Sequence, residues 1–224
     1  MRVNLYRCAR PARLGFGLVE TLISAAIALL ALGSIGIATS SNVNAFEAGN
    51  LRTALNSKAN QVLDRAVREL DLADKATLTG VPAAPLFAET ATFDVPDTVS
   101  FATGIVTWKT TRVELQYEPS ETDDGLDNDA DGLIDEGQVV LTRDFGTPAA
   151  LATVLATGVA EYAEGETLDA TDENGNGLVD ERGLALCFDG SRILLRLTLE
   201  RADTNGSVVR TSLSTTVTCR NGNP

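Results

Sequence analysis

Apolar and polar positions follow three rhythms along this chain. Residues 22–38 (LISAAIALLALGSIGIA) are almost entirely apolar and small, and no charge occurs between Glu20 and Glu47. Such a run suits a helix in lipid. From Phe46 to Ala76 the rhythm becomes that of an amphipathic helix. Leu51, Leu55, Ala59, Val62, Ala66 and Leu70 recur at steps of three and four, with Arg52, Lys58, Arg65 and Arg68 mainly off that stripe. Unbroken helix from Phe16 to about Leu72 would measure ~85 Å at 1.5 Å per residue. Its first half would sit in a bilayer or an assembly, and its second would pack the stripe under a head domain.

The third rhythm is that of strands. Residues 77–97 hold three prolines and read as an irregular connection. After them come TVSFAT (98–103), TRVELQY (111–117), QVVLTRDF (138–145), LALCF (184–188), RILLRLTLE (192–200) and VVRTSLSTTVTC (208–219). DGS at 189–191 and DTNG at 203–206 are turn sequences that suit an antiparallel meander. Residues 147–164 (TPAALATVLATGVAEYAE) predict a short helix or turn leading into a strand. The pattern as a whole predicts an α+β fold, a long N-terminal helix on an antiparallel β-sheet head.

Charge narrows the chemistry. The chain carries a formal net charge of −13 and a pI near 4.4. Such a surface repels nucleic acid and anionic headgroups and attracts cations. Histidine is absent. That removes Ser–His–Asp and Cys–His catalysis, His-based zinc sites and the usual proton shuttle. Cys8, Cys187 and Cys219 fit no zinc spacing. Paired carboxylates hydrolyse glycosides in some enzymes, but the acids here cluster at ion-ligand spacing. No enzyme is expected.

Those acids lie in two loops that align without gaps at an offset of 45: DNDADGLIDE (127–136) and DENGNGLVDE (172–181). Asp127, Asp129 and Asp131 match Asp172, Asn174 and Asn176. Gly132 matches Gly177, and Asp135–Glu136 match Asp180–Glu181. Oxygen side chains at positions 1, 3 and 5 followed by Gly at 6 begin an EF-hand-type calcium loop. Alternate residues of a tight turn aim their oxygens at one ion, and Gly permits the bend that aims the next carbonyl, Leu133 or Leu178, the same way. All-oxygen donors select Ca²⁺ over zinc or copper. Position 12, a bidentate Glu in EF-hands, is here Gln138 or Gly183, and no helical pattern flanks either loop. The loops are more similar to the Asp-rich calcium repeats of thrombospondin-type extracellular proteins. One or two structural calcium ions are expected, bound more tightly by the first loop; solvated acidic turns are the alternative.

The N-terminus carries the most specific signal. Residues 1–15 hold Arg2, Arg7, Arg10 and Arg13 and no acid, then come Gly15, Phe16 and Glu20 ahead of the apolar run. A basic flank before an apolar segment keeps the N-terminus cytoplasmic. The combination resembles the class III signal of type IV prepilins and type II secretion pseudopilins. The resemblance implies cleavage after Gly15 by a prepilin peptidase, N-methylation of Phe16, and Glu20 as the assembly residue. It implies a pilin-like fold in a bacterial inner membrane, crossed once, with the head periplasmic. Removing the leader takes four arginines and no acid, so the net charge goes from −13 to −17. Cys8 leaves with it. In an oxidising compartment a Cys187–Cys219 disulfide is then expected, with two separate thiols as the alternative. Ile37 stands where major pilins usually place a helix-kinking proline, with Gly33 and Gly36 nearby to loosen the helix. That departure is more typical of minor pilins and pseudopilins. The closing strand followed by Arg220 and Asn221 is similar to J-type pseudopilins and W-type minor pilins.

These readings divide the chain into a leader (1–15), a transmembrane and assembly helix (16–40), an amphipathic helix (41–76) and a β-rich head (77–224) with Asp-rich loops at 127–138 and 172–183. The expected function is structural: a minor pilin or pseudopilin in a type IV pilus or type II secretion pseudopilus, partnered by prepilin peptidase, other pilins and the inner membrane, and by no nucleic acid. A membrane-anchored, calcium-dependent adhesion or binding module that does not polymerise is the alternative.

Overall fold

The computed structural model describes residues 17–221. The leader, the Gly15–Phe16 junction and Cys8 lie outside them. The chain divides into two compact units, one ending at Phe46 and one beginning at Glu47. Helix α1 (Leu18–Asp71) gives its residues up to Phe46 to the first unit and the rest to the second.

In the first unit every side chain of residues 17–46 is exposed. The helix is long and apolar enough to cross a membrane by length and composition; a membrane anchor and a signal segment both meet that description. Three of its hydroxyls bond within the helix: Thr21, Ser34 and Thr39 donate to the carbonyls of Leu18, Ala31 and Ile35, each at 2.8 Å. Gly33 and Gly36 do not interrupt the helix.

In the second unit the helical stripe is buried as its period predicts. Leu55, Ala59, Val62, Ala66 and Leu70 are in the core, Leu63 and Ala73 join them, and Leu51 is half-buried. They pack on one face of a sheet of seven strands: β1 (Thr90–Val99), β2 (Val106–Tyr117), β3 (Gly137–Arg143), β4 (Leu151–Val159), β5 (Leu184–Asp189), β6 (Arg192–Ala202) and β7 (Val208–Val217). All pairings are antiparallel. Alternate residues make the inner face: Ala91, Phe93 and Val95 on β1, Leu184 and Leu186 on β5, Ile193, Leu195, Leu197 and Leu199 on β6. Each fully buried Leu, Ile or Phe is worth about 1.5–3 kcal/mol over exposure, so this face dominates the stability of the head.

Polar ties lock helix to sheet. Buried Glu69 pairs with Arg65 at 3.2 Å and with Arg143 of β3. Thr211 of β7 donates to Asn56 at 2.8 Å. Two residues beyond the last strand, Arg220 and Asn221, close the helix end. The Arg220 amide donates to the Asp71 carbonyl at 3.1 Å, its guanidinium pairs with the Asp71 carboxylate at 2.8 Å, and the Asn221 amide group donates to the Leu72 carbonyl at 2.6 Å. Terminal helix carbonyls have no partner inside the helix, so this pair caps α1 from the far end of the chain.

Strand β6 organises the site. β7 lies along one of its edges. On the other, β5 pairs from Arg192 to Leu197, and β4 meets it at Val159↔Leu199. The segment between β2 and β3 (118–136) and that between β4 and β5 (160–183) leave the sheet at the same end, where Gly137 pairs with Val159.

Two expectations are corrected and a third is narrowed. Residues 90–97 are not irregular: they form most of β1, and of the expected strand 98–103 only Thr98 and Val99 are strand, the rest turning with Gly104 at φ 70°. Residues 147–164 follow the turn-then-strand alternative, with β4 starting at Leu151. Cys187 and Cys219 do not form a disulfide; both thiols are free. Cys187 packs with Leu178, Ala185 and Phe87, while Cys219 packs against the helix-side core, so the sheet lies between them. Burial pushes both thiols up from their ordinary range, which makes them poor nucleophiles.

Candidate metal centre

The two acidic loops are structural copies, and the repeat is longer than the ten residues first aligned. It runs from Glu121 to Glu136 and from Glu166 to Glu181 at the same offset of 45. Positive φ recurs at equivalent places: Gly125 (74°) and Ala170 (66°), Ala130 (63°) and Gly175 (70°), Gly132 (93°) and Gly177 (88°), Asp135 (52°) and Asp180 (51°). Gly132 and Gly177 thus make the bend that their position in the motif predicts. The leucines that follow are buried, Leu133 and Leu178, and anchor each loop to the head.

Much of the acid is used to build the turns. Asp127 accepts from the amides of Ala130 and Gly132 at 2.6 and 3.0 Å, and Asp172 from those of Asn176 and Gly177 at 3.0 and 2.8 Å. Asp131 accepts from the Leu133 amide at 2.9 Å, and Asn176 from the Leu178 amide at 2.9 Å. Asp135 accepts from the amides of Asp124 and Gly125, and Asp180 from those of Asp169 and Ala170. Asp135 therefore faces away from the turn it was expected to complete, and groups with Asp123 and Glu161.

The structure brings together Asp127, Asp129 and Asp131, each offering an oxygen within 4.8 Å of the others, all exposed. It also builds a second, deeper group that contains a residue outside the expected set: Glu121, Asp129 and Glu136, again within 4.8 Å. Glu121 is 5% exposed and Glu136 1%. At such spacing each like-charge pair costs at least about 3 kcal/mol at an effective dielectric of about 20. Burial pushes the Glu136 carboxyl up to about 7, helped by the charges of Asp131, Glu121 and Asp129. Neither Glu136 oxygen has a hydrogen-bond partner, nor does Oε2 of Glu121, whose Oε1 accepts from the amides of Asn128 and Asp129 at 3.1 Å. Among the described residues no arginine or lysine pairs with any of the three.

The second loop satisfies the same frame differently. Glu181 is fully buried, and its Oε1 accepts from the side-chain amides of Asn174, at 3.3 Å, and Asn176. The Arg196 guanidinium stands 3.9 Å from Glu181 and donates to the Asn176 carbonyl at 3.0 Å. Glu166, the counterpart of Glu121, spends one oxygen on the Asn174 amide and the other on the Asp180 amide, both at 3.2 Å. Glu166 also groups with Glu173 and Asp180. Between the loops, Arg182 bridges Tyr117 at 2.9 Å and Glu161 at 3.2 Å and stacks over Tyr162. Glu121 and Glu166 were legible in principle, since the repeat extends upstream to both.

At the other candidate position, Glu20 lies in the first turn of α1, exposed, and accepts from the Gly17 amide at 2.7 Å. No family model, curated protein or solved structure matches this chain.

Proposed function

We propose that the chain is a structural subunit, a minor pilin or pseudopilin. It is cut after Gly15, methylated at Phe16, anchored in a bacterial inner membrane by residues 16–40, and assembled through Glu20 into a type IV pilus or type II secretion pseudopilus. One observation carries the reading. Behind a basic leader and the Gly15–Phe16 junction, Glu20 is the sole charge on a helix that is uncovered as far as Phe46 and almost entirely apolar over residues 22–38. A lone carboxylate in an apolar medium is costly. Cleavage creates an α-amino group, and in a helical stack the amine of one chain can pair with Glu20 of its neighbour. The cost of the acid then becomes a drive for assembly.

The layout of the second unit supports the same reading, with an amphipathic helix under an antiparallel sheet as in pilin heads. The acidic loops fit structural calcium, each ion ordering a loop between two strands and regulating nothing. The absence of histidine and of any nucleophile motif favours a structural role over an enzymatic one.

Shearing filaments from cells that express a tagged chain tests the proposal. The chain is expected in the sheared filament fraction alongside other pilins. Recovery solely as a membrane-bound monomer would instead support an anchored, calcium-dependent binding module.

A further inference from the structure

We infer that the head holds a single divalent cation, seated in the first loop on the carboxylates of Glu121, Asp129 and Glu136, and that the second loop is a cation-free copy of that site. The inference rests on the calcium reading of the loops and adds which loop is occupied, by which residues, and why the other is not.

The two loops pose the same problem, a buried glutamate at the end of a strained turn. Glu136 is 1% exposed and Glu181 0%. A buried carboxylate needs positive charge or hydrogen-bond donors. In the second loop protein groups provide them. Asn174 and Asn176 turn their Oδ1 atoms to backbone amides and their NH₂ groups to Glu181, and Arg196 adds a full positive charge. Oε2 of Glu181 has no donor of its own, but the guanidinium balances the charge. In the first loop the equivalents of those asparagines are Asp129 and Asp131, which can donate nothing when ionised. Their Oδ1 atoms make the same backbone contacts, to the amides of Asp131 and Leu133. Oδ2 of Asp129, in the place of the Asn174 NH₂, accepts from Ser120 at 3.2 Å, and one Asp129 oxygen belongs to the Glu121–Glu136 group. Three buried carboxylate oxygens there have no partner, one on Glu121 and two on Glu136. One external cation seated among them would satisfy all three at once.

Donor chemistry selects the ion. Carboxylates alone, three of them close together and one, Glu136, with both oxygens free, suit Ca²⁺, which takes six to eight oxygens in flexible geometry. Mg²⁺ demands a tighter octahedron and retains its waters. The shallow Asp127–Asp129–Asp131 group shares Asp129 with this site and lies at its solvent side, on exposed residues.

The test is calorimetric titration of CaCl₂ into the full chain in detergent micelles, after stripping with chelator, with MgCl₂ as control. The expected stoichiometry is one ion per chain. Glu121→Gln and Glu136→Gln should each weaken binding by about 100-fold or more, since even groups that merely support a ligand are worth about 10–100-fold. Glu181→Gln should leave stoichiometry and affinity unchanged. Melting in chelator guards against misfolding: Glu136→Gln removes a buried unpaired charge, so it should melt at least as high as the unaltered chain there, yet gain nothing from calcium. Two ions per chain, unaltered affinity in Glu136→Gln, or lost binding in Glu181→Gln would overturn the inference while leaving calcium in the loops. No heat and no calcium-dependent melting shift would overturn both.

Discussion

Replacing Glu20 with alanine should leave the chain processed and inserted in the membrane yet remove it from filaments. The leader, Gly15 and Phe16 are untouched by the change, so peptidase recognition and insertion have no reason to fail. What is lost is the partner for a neighbour's new α-amino group. Unit charges about 4 Å apart at an effective dielectric of about 20 attract by about 4 kcal/mol, which is roughly a thousandfold in association. Glu20→Gln, which keeps a hydrogen-bond acceptor but no charge, should incorporate poorly but above the alanine variant. Immunoblots of sheared filaments and of membranes, read side by side, check both. Normal incorporation of the alanine variant would remove Glu20 from any role in assembly.

Gly183→Ala should be the most damaging single methyl group in the head. A Cβ there would lie 1.9 Å from the Ala160 carbonyl oxygen and 2.9 Å from both the Ala160 carbonyl carbon and Val159 Cγ1. The nearest obstacle is backbone, which cannot swing aside as the end of a side chain could. The Gly183 amide donates to the Glu161 carbonyl at 3.2 Å, its carbonyl accepts from the Thr198 amide at 2.7 Å, and the Ala160 amide donates to the Thr198 carbonyl at 3.1 Å. This is the seam where β4 and β5 share one edge of β6, so relief requires the two strands to part. Overpacking usually costs about 1–3 kcal/mol; displacing a backbone ladder should exceed that and leave little soluble folded protein. Gly49→Ala is the control. A Cβ there meets nothing within 4 Å, and a helical Gly→Ala change is worth up to about 1 kcal/mol in favour of folding. Thermal melts of the pair should move in opposite directions.

How far the sequence could be read depends on which force set each element. α1 was legible from end to end because one long period governs it, and five of the six stripe residues are buried as that period requires, with Leu51 half-buried. Strands β5, β6 and β7 were legible because their alternating residues meet the core. β1 was missed because proline counts against a strand. Here Pro96 sits on the edge strand, at the irregularity where the register shifts before Thr98, and there its missing amide costs no internal ladder bond. The segment 98–103 looked like a strand because it is apolar, yet Phe101 is fully exposed at a turn. Composition cannot tell an apolar turn from an apolar strand.

The candidate metal centre was half legible. Spacing identified both turns and the glycines at their bends. It could not reveal that Asp127 and Asp172 are bound up with loop amides, or that Asp135 faces the wrong way. The deeper site needed Glu121, six residues before the motif begins, and only the fold sets it against Glu136. The disulfide failed for a related reason: two cysteines and an oxidising compartment say nothing about which face of a sheet each thiol occupies.

Assembly through a freed chain end and Glu20 of an adjoining copy, each satisfying the other inside an apolar bundle, presupposes a specific cut. Intact-mass spectrometry of the chain purified from cell membranes tests that premise most directly. The expected mass is that of residues 16–224 plus one methyl group. A chain that still begins at Met1, or one trimmed beyond residue 38, would contradict it.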